Sequence, residues 1–188
     1  CKQAYRWNLD YVKDRHGNTM SYTYELETNK YGRNLGKTVD TYTRGGNLRR
    51  IEYGTRAGVA GEAPARVEFT LSDRCLNGPA CTTKTPANWP DVPWDRDCSG
   101  ATCGDKWAPT FWTTKRLSAI TTYIKGSTEG VEQWTFDHSY PVPGDNTSPA
   151  MWLKSIGHTG LVGDDIPLPA VTFVEDPIEK GNRVDSAR

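Results

Sequence analysis

Tyr11–Tyr24 reads YVKDRHGNTMSYTY and joins two alternating runs. On its N-terminal side Tyr5, Trp7, Leu9 and Tyr11 alternate with Arg6, Asn8 and Asp10. On its C-terminal side Met20, Tyr22, Tyr24 and Leu26 alternate with Ser21, Thr23 and Glu25. A period of two lays each set on one face of a strand. Between the runs, Asp14-Arg15-His16-Gly17-Asn18 carries turn chemistry: Gly and Asn tolerate positive φ, and Asp and Asn bond their own backbone. The stretch predicts a β-hairpin over 5–13 and 19–26, with one aromatic face and one polar face.

The same rhythm continues. Residues 27–37 read as a loop. Thr38–Thr43 and Leu48–Tyr53 read as two strands joined by a turn at Arg44-Gly45-Gly46-Asn47. Ala65–Leu71 places Val67, Phe69 and Leu71 on one face. Strand patterns return at 111–124, 131–140, Met151–Ile156 and Ala170–Val174, with a loop at 157–169. These β-branched and aromatic runs, punctuated by Gly and Pro, predict an all-β fold. The expectation is an antiparallel meander of about nine short strands. Residues 72–110 break the rhythm and read as an irregular insert within a single β-rich segment, 1–188.

Four of the five cysteines, Cys75, Cys81, Cys98 and Cys103, fall in that insert. Four cysteines allow three pairings. Easy closure of short loops favours Cys75 with Cys81 and Cys98 with Cys103. Disulfides imply an oxidising, extracellular setting. Cys1 is left as the odd cysteine, with a partner outside the segment or a free thiol. The two ends read as those of a piece of a longer polypeptide.

Composition excludes several classes. The 23 basic and 23 acidic residues cancel, so charge gives no reason to expect a nucleic acid or an anionic membrane as partner. No apolar run approaches the roughly 20 residues that span a bilayer. The histidines His16, His138 and His158 lack zinc-protease spacing. A nucleophile such as Cys81 or Ser99 has no G-x-S-x-G elbow around it. Asp91, Asp95, Asp97 and Asp105 cluster in the insert, yet miss the EF-hand spacing. No catalytic residue, metal site or cofactor is therefore expected. Trp89, Trp94, Trp107 and Trp112, in or beside the insert, are the aromatic residues not explained by strand alternation. They are the candidate binding surface, for a glycan or cell surface. Arg44-Gly45-Gly46 reads as a turn rather than an RNA-binding element, and Asn146-Thr147-Ser148 is a formal glycosylation sequon.

The order of these pieces resembles a known class. Asp14-Arg15-His16-Gly17-Asn18 followed by Tyr22-Thr23-Tyr24 resembles the YD (Rhs) repeat, in which a D-x-x-G-N turn leads into a Y-x-Y strand. Asn47-Leu48-Arg49-Arg50-Ile51-Glu52-Tyr53-Gly54 resembles the YLxxIxYG strand of that class. Arg66–Phe69, Lys115–Ile120, Trp152–Ile156 and Leu168–Phe173 continue the series. The succession, from about Tyr5 to Phe173, is similar to the region ahead of the repeats in the B component of insecticidal toxin complexes. It is also similar to large secreted bacterial Rhs/YD-repeat proteins. The cysteine-rich insert departs from the toxin-complex pattern. The resemblance implies a wall segment of a hollow β-shell around a C-terminal toxic or enzymatic domain, with no chemistry of its own. Gly17, Gly45, Gly46 and Gly54 would allow tight turns, and Tyr22, Tyr24, Leu48, Ile51 and Tyr53 would pack the sheet. The partner implied is the remainder of the same polypeptide. The alternatives are a carbohydrate-binding β-module and a small secreted hydrolase.

Overall fold

Eight strands carry the alternating runs. In the computed structural model, which describes residues 4–75, 78–142 and 148–174, they are β1 (Tyr11–Lys13), β2 (Asn18–Gly32), β3 (Thr38–Arg56), β4 (Ala65–Asp73), β5 (Lys115–Ile124), β6 (Glu132–Ser139), β7 (Trp152–Gly160) and β8 (Ile166–Thr172). They form one antiparallel sheet in sequence order, β1 to β8. Each strand pairs with the next, so every connection is a hairpin or a loop on one edge. The all-β meander is as expected. Cys1 and Asn146 of the sequon lie outside the described residues.

The count is eight rather than nine because 38–43 and 48–53 belong to one strand. β3 runs unbroken through Arg44-Gly45-Gly46-Asn47, opposite Glu25–Glu27. The expected turn is absent, and its residues are absorbed differently. The β2–β3 register shifts between Thr19 and Met20, between Thr23 and Tyr24, and between Glu27 and Thr28. At each shift β3 carries an extra residue without a partner: Gly54, Arg49 and Arg44. A bulge of this kind bends the strand and re-aims side chains without ending it.

Other boundaries move as well. β2 continues through the expected loop to Gly32, and the chain reverses at Asn34, Leu35 and Gly36, which take left-handed backbone angles. Residues 5–10 lie outside the ladder. They are held by scattered contacts: Arg6 donates to Gly46 O at 2.9 Å, Tyr22 N–H to Asp10 O at 2.9 Å, and Tyr5 stacks on Phe111 at 3.5 Å. β5 begins at Lys115, so the stretch without strands is 74–114. β7 extends to Gly160, and β8 starts at Ile166.

The sheet is a single layer. Among the described residues the buried apolar side chains are Cys75, Trp89, Val92, Cys98 and Cys103, all within 74–114. Large apolar residues of the sheet stay exposed, including Leu26, Tyr53, Ile124, Leu168 and Val171. Every residue of β8 is exposed, and Pro167 and Pro169 remove two donors from it. Proline is tolerated there because β8 is an edge strand whose register shifts between Leu168 and Val171. No helix among the described residues is long and apolar enough to cross a membrane.

Gly54 has φ +85°, and a Cβ there would lie 2.6 Å from Pro64 Cγ. Gly58 has φ +79° with nothing within 4 Å. Gly58→Ala should therefore cost about 1 kcal/mol, the conformational penalty alone, whereas Gly54→Ala should cost about 2 kcal/mol or more because the clash adds to it. Urea midpoints of the two variants check the difference.

Candidate functional site at the capped end of the sheet

Antiparallel order brings the end of β2, the start of β3, the end of β4, the start of β5, the end of β6 and the start of β7 to one end of the sheet. Residues 74–114 leave β4 and rejoin β5 at that end. They contain two short 3-10 turns, Gly78–Thr82 and Trp94–Arg96. Disulfides Cys75–Cys81 and Cys98–Cys103 staple them, in the local pairing that short-loop closure favours.

The segment is fastened to β2 and β3 by buried polar groups. Glu27 and Asn29 lie two residues apart on one face of β2, 8% and 5% exposed. Glu27 accepts from the Thr114 N–H at 3.0 Å and from the Thr114 hydroxyl at 2.5 Å. Arg44 Nη2 donates to it at 3.2 Å and Asn47 Nδ2 at 3.3 Å. The Arg44 guanidinium lies 3.5 Å from the Trp112 ring centroid, with Nη1 3.8 Å from Asp97. Asn29 Nδ2 donates to Arg96 O at 2.9 Å, and Asn29 Oδ1 accepts from Cys98 N–H at 2.9 Å. The Tyr42 hydroxyl donates to Thr110 O at 2.7 Å and accepts from Thr110 N–H at 2.9 Å. The bulge at Arg44 is what lets its side chain turn back to Glu27. Gly45 follows because a Cβ there would sit 3.2 Å from Trp112 O and 3.4 Å from Glu27 Oε2.

Burial works to raise the Glu27 pKa. The donors from Thr113, Thr114 and Asn47 outweigh it and hold the carboxyl below its ordinary 4.5. All these donors come from the chain itself, so Glu27 is an acceptor saturated from within.

A second fastening joins the segment to β4–β7. Arg74 N–H donates to Thr114 O at 2.8 Å. Arg74 Nη2 and Met151 N–H both reach Asp91 Oδ2, at 3.4 and 3.3 Å. The Tyr140 hydroxyl donates to Arg74 O. Burial, with the Asp91 charge beside it, pushes the Tyr140 pKa up to about 12. Arg116 Nη1 lies 3.3 Å from His138 Nδ1. Burial first, and then the Arg116 charge, lowers the His138 pKa below its ordinary 6.5.

The tryptophans expected as a binding surface are placed otherwise. Trp89 is 5% exposed, meets Trp94 edge-on at 5.2 Å and donates to Cys81 O. Trp94 meets Trp112 edge-on at 5.5 Å, and Lys84 lies over its ring. The faces of these three are taken up by one another and by cations, so they form the segment's core rather than a shared platform. Trp107 stands apart at 52% exposure, with its indole N–H donating to Gly104 O. Trp112 also walls an open groove of about 1090 Å³, with Tyr5, Tyr42, Phe111, Arg6 and Arg33.

The acidic residues of the insert do not converge either. Asp91 pairs with Arg74, Asp95 with Arg96, Asp97 with Arg44 and Lys84, and Asp105 with Lys106. Each histidine has its own partner: His16 accepts from Arg15, His138 faces Arg116, and His158 stacks on Trp134 at 4.6 Å. Cys81 is oxidised and Ser99 is exposed. Glu27, Asn29, Tyr42 and Tyr140 carry no site signal in the sequence, whereas Asp91 stands out there only as one of the acidic cluster and Arg44 only as part of a turn. The usable signal was Glu27-x-Asn29-x-Tyr31, a period-two run that continues the strand.

No protein-family model matches the chain, and no curated protein matches it. Among solved structures, the crystal structure of TcdB2-TccC3-TEV matches with a TM-score of 0.50 at 14% identity. The chain is similar in fold to a segment of TcdB2-TccC3-TEV. The match covers 89% of this chain and 9% of that one, so the chain spans under a tenth of the length of the solved chain. The crystal structure of TcdB2-TccC3 gives a TM-score of 0.48 at 15% identity, over the same shares.

Two measurements test the fastenings. The folded Glu27 pKa is depressed, so its contribution is complete above the unfolded value of 4.5 and is lost as pH falls through the folded value. Glu27→Gln should cost about 3 kcal/mol at pH 7, and its urea midpoint should vary less below pH 4.5 than that of the parent. By NMR, His138 should titrate below 6.5, and Arg116→Gln should raise its pKa by removing the neighbouring positive charge.

Proposed function

We infer that this chain is a structural segment of the wall of a larger secreted β-shell of the Rhs/YD-repeat type, without chemistry of its own. The observation that carries the reading is the single uncovered layer. Protein domains bury a sheet face against a second layer. Here the polar face is covered only at one end, by 74–114, and the aromatic face carries exposed side chains such as Leu26 at 58%. A segment whose sheet continues into neighbouring strands and curves around an interior has that form. The fold likeness to 9% of a much longer chain supports the same reading, as does the ordered series of YD-like motifs. The TcdB2-TccC3-TEV likeness makes an association with a toxin complex the leading context. The disulfides fit a secreted setting.

The 188-residue chain by itself should bind anilinonaphthalene sulfonate and associate with rising concentration, because the uncovered face and the β1 edge lack their neighbours. Electron microscopy of the polypeptide that carries it should show a hollow chamber with this sheet in the wall. A monomeric chain that binds no dye, within a parent lacking a chamber, would overturn the assignment in favour of an autonomous module.

A further inference from the structure

We propose that residues 74–114 form a thiol-sensitive latch that opens in two ordered steps while the sheet stays intact. Three of the five buried apolar residues are half-cystines, Cys75, Cys98 and Cys103. Among its described residues the segment has no strand, and its core is Cys75, Trp89 and Val92, with Cys81, Trp94 and Trp112 packed against them. Disulfides therefore do the work that a larger apolar core does elsewhere.

The sheet does not depend on the segment in the same way. The β4–β5 ladder closes at Asp73 opposite Lys115, immediately before the segment departs. All other strand pairs are joined without it. Opening it converts one stapled loop into a free loop and leaves the ladder in place. What it gives up is its hold on the sheet: Asn29 to Cys98 N–H and Arg96 O, Gly32 N–H to Lys106 O, and Glu27 to Thr114.

Access to sulfur sets the order. Cys75 is 7% exposed and its partner Cys81 is half-buried. Cys98 and Cys103 are 7% and 3% exposed, so both residues of that pair are buried, whereas the first pair has one half-buried member. Thiol–disulfide exchange needs approach of a thiolate to one of the two sulfurs. In the first step a dithiol reductant attacks Sγ of Cys81, forms a mixed disulfide and releases the Cys75 thiolate. Its second thiol then closes onto its own bound sulfur, which releases Cys81 and leaves the reductant oxidised by two electrons. Trp89, whose indole donates to Cys81 O, loses its seat. The same two-electron exchange then becomes possible at Cys98–Cys103, and its reduction frees the Asn29 contact.

Dithiothreitol titration of the intact oxidised protein, with timed alkylation and mass spectrometry, reads the order. Cys75 and Cys81 should be alkylated more than about tenfold faster than Cys98 and Cys103. In the Cys75→Ser/Cys81→Ser double variant, Cys98–Cys103 should be reduced at about the rate of the parent's second step but without the lag that the first step imposes. Trypsin should then cut within 74–114 while amides of β2–β7 keep their hydrogen-exchange protection. Reduction of both disulfides at one rate together with loss of the sheet amides would overturn the proposal. So would a fully reduced protein whose 74–114 segment still resists trypsin. If the double variant does not fold, the alkylation order in the parent still decides.

Discussion

The buried contact between Glu27 and Arg44 governs how this chain is arranged. It joins two adjacent strands, but its consequence lies in what it fastens. Glu27 also receives both donors of Thr114, the last residue before β5. Arg44 also carries the Trp112 ring and faces Asp97. One ion pair thus ties β2, β3 and the C-terminal half of the 74–114 segment together. A charge buried this deeply needs a partner and further donors, or its desolvation makes it a liability. Four donors around one carboxylate meet that requirement. The bulge that aims Arg44 and the glycine that follows it are the backbone cost of reaching it.

That constraint explains why the segment sits on the polar face. Glu25, Glu27, Asn29 and Tyr31 share one side of β2, while Met20, Tyr22, Tyr24 and Leu26 share the other. All three bulges lie on β3, so the alternation of β2 is never interrupted. An irregular segment has many unpaired backbone groups, such as Arg96 O, Cys98 N–H and both polar groups of Thr110. An apolar face cannot satisfy them, whereas Asn29 and Tyr42 do. The aromatic face is only partly covered: Tyr24 reaches the Leu9 carbonyl, and Leu26 stays exposed. It is the face an apolar neighbour would suit.

Much of the fold was legible because strand alternation and local disulfides are short-range properties. Val67, Phe69 and Leu71 show their strand within a few residues, and loops closed by Cys75–Cys81 and Cys98–Cys103 need no distant information. β3 was misread at its centre for a physical reason. Gly45 and Gly46 carry the chemistry of a turn, but here they make room, for Trp112 backbone at one and for Asn8 and Leu26 at the other. Local sequence cannot separate a glycine needed for φ from a glycine needed for space. The tryptophans show the same limit of local reading. An aromatic residue outside a strand pattern looks free, yet Trp89, Trp94 and Trp112 join Cys75, Cys81 and Val92 in the apolar cluster of the stapled segment. Glu27 and Asn29 were hidden because polar residues after a strand read as its end.

The distribution of burial carries the last step. Most exposed ion pairs of the sheet, such as Arg49–Glu25 and Lys154–Asp137, contribute little. The sheet's own apolar side chains are at most partly covered. Its strands are held by ladder hydrogen bonds, whereas 74–114 is held by covalent staples and buried polar contacts. Two regions built on such different physics need not come apart under the same conditions. Acid acts on Glu27 and its side-chain contacts to β3 and Thr114, and thiols act on the staples, while the backbone ladder contains neither. The strand order rests on the ladder, which closes at Asp73 opposite Lys115 before the cap departs, while the cap rests on side chains and staples.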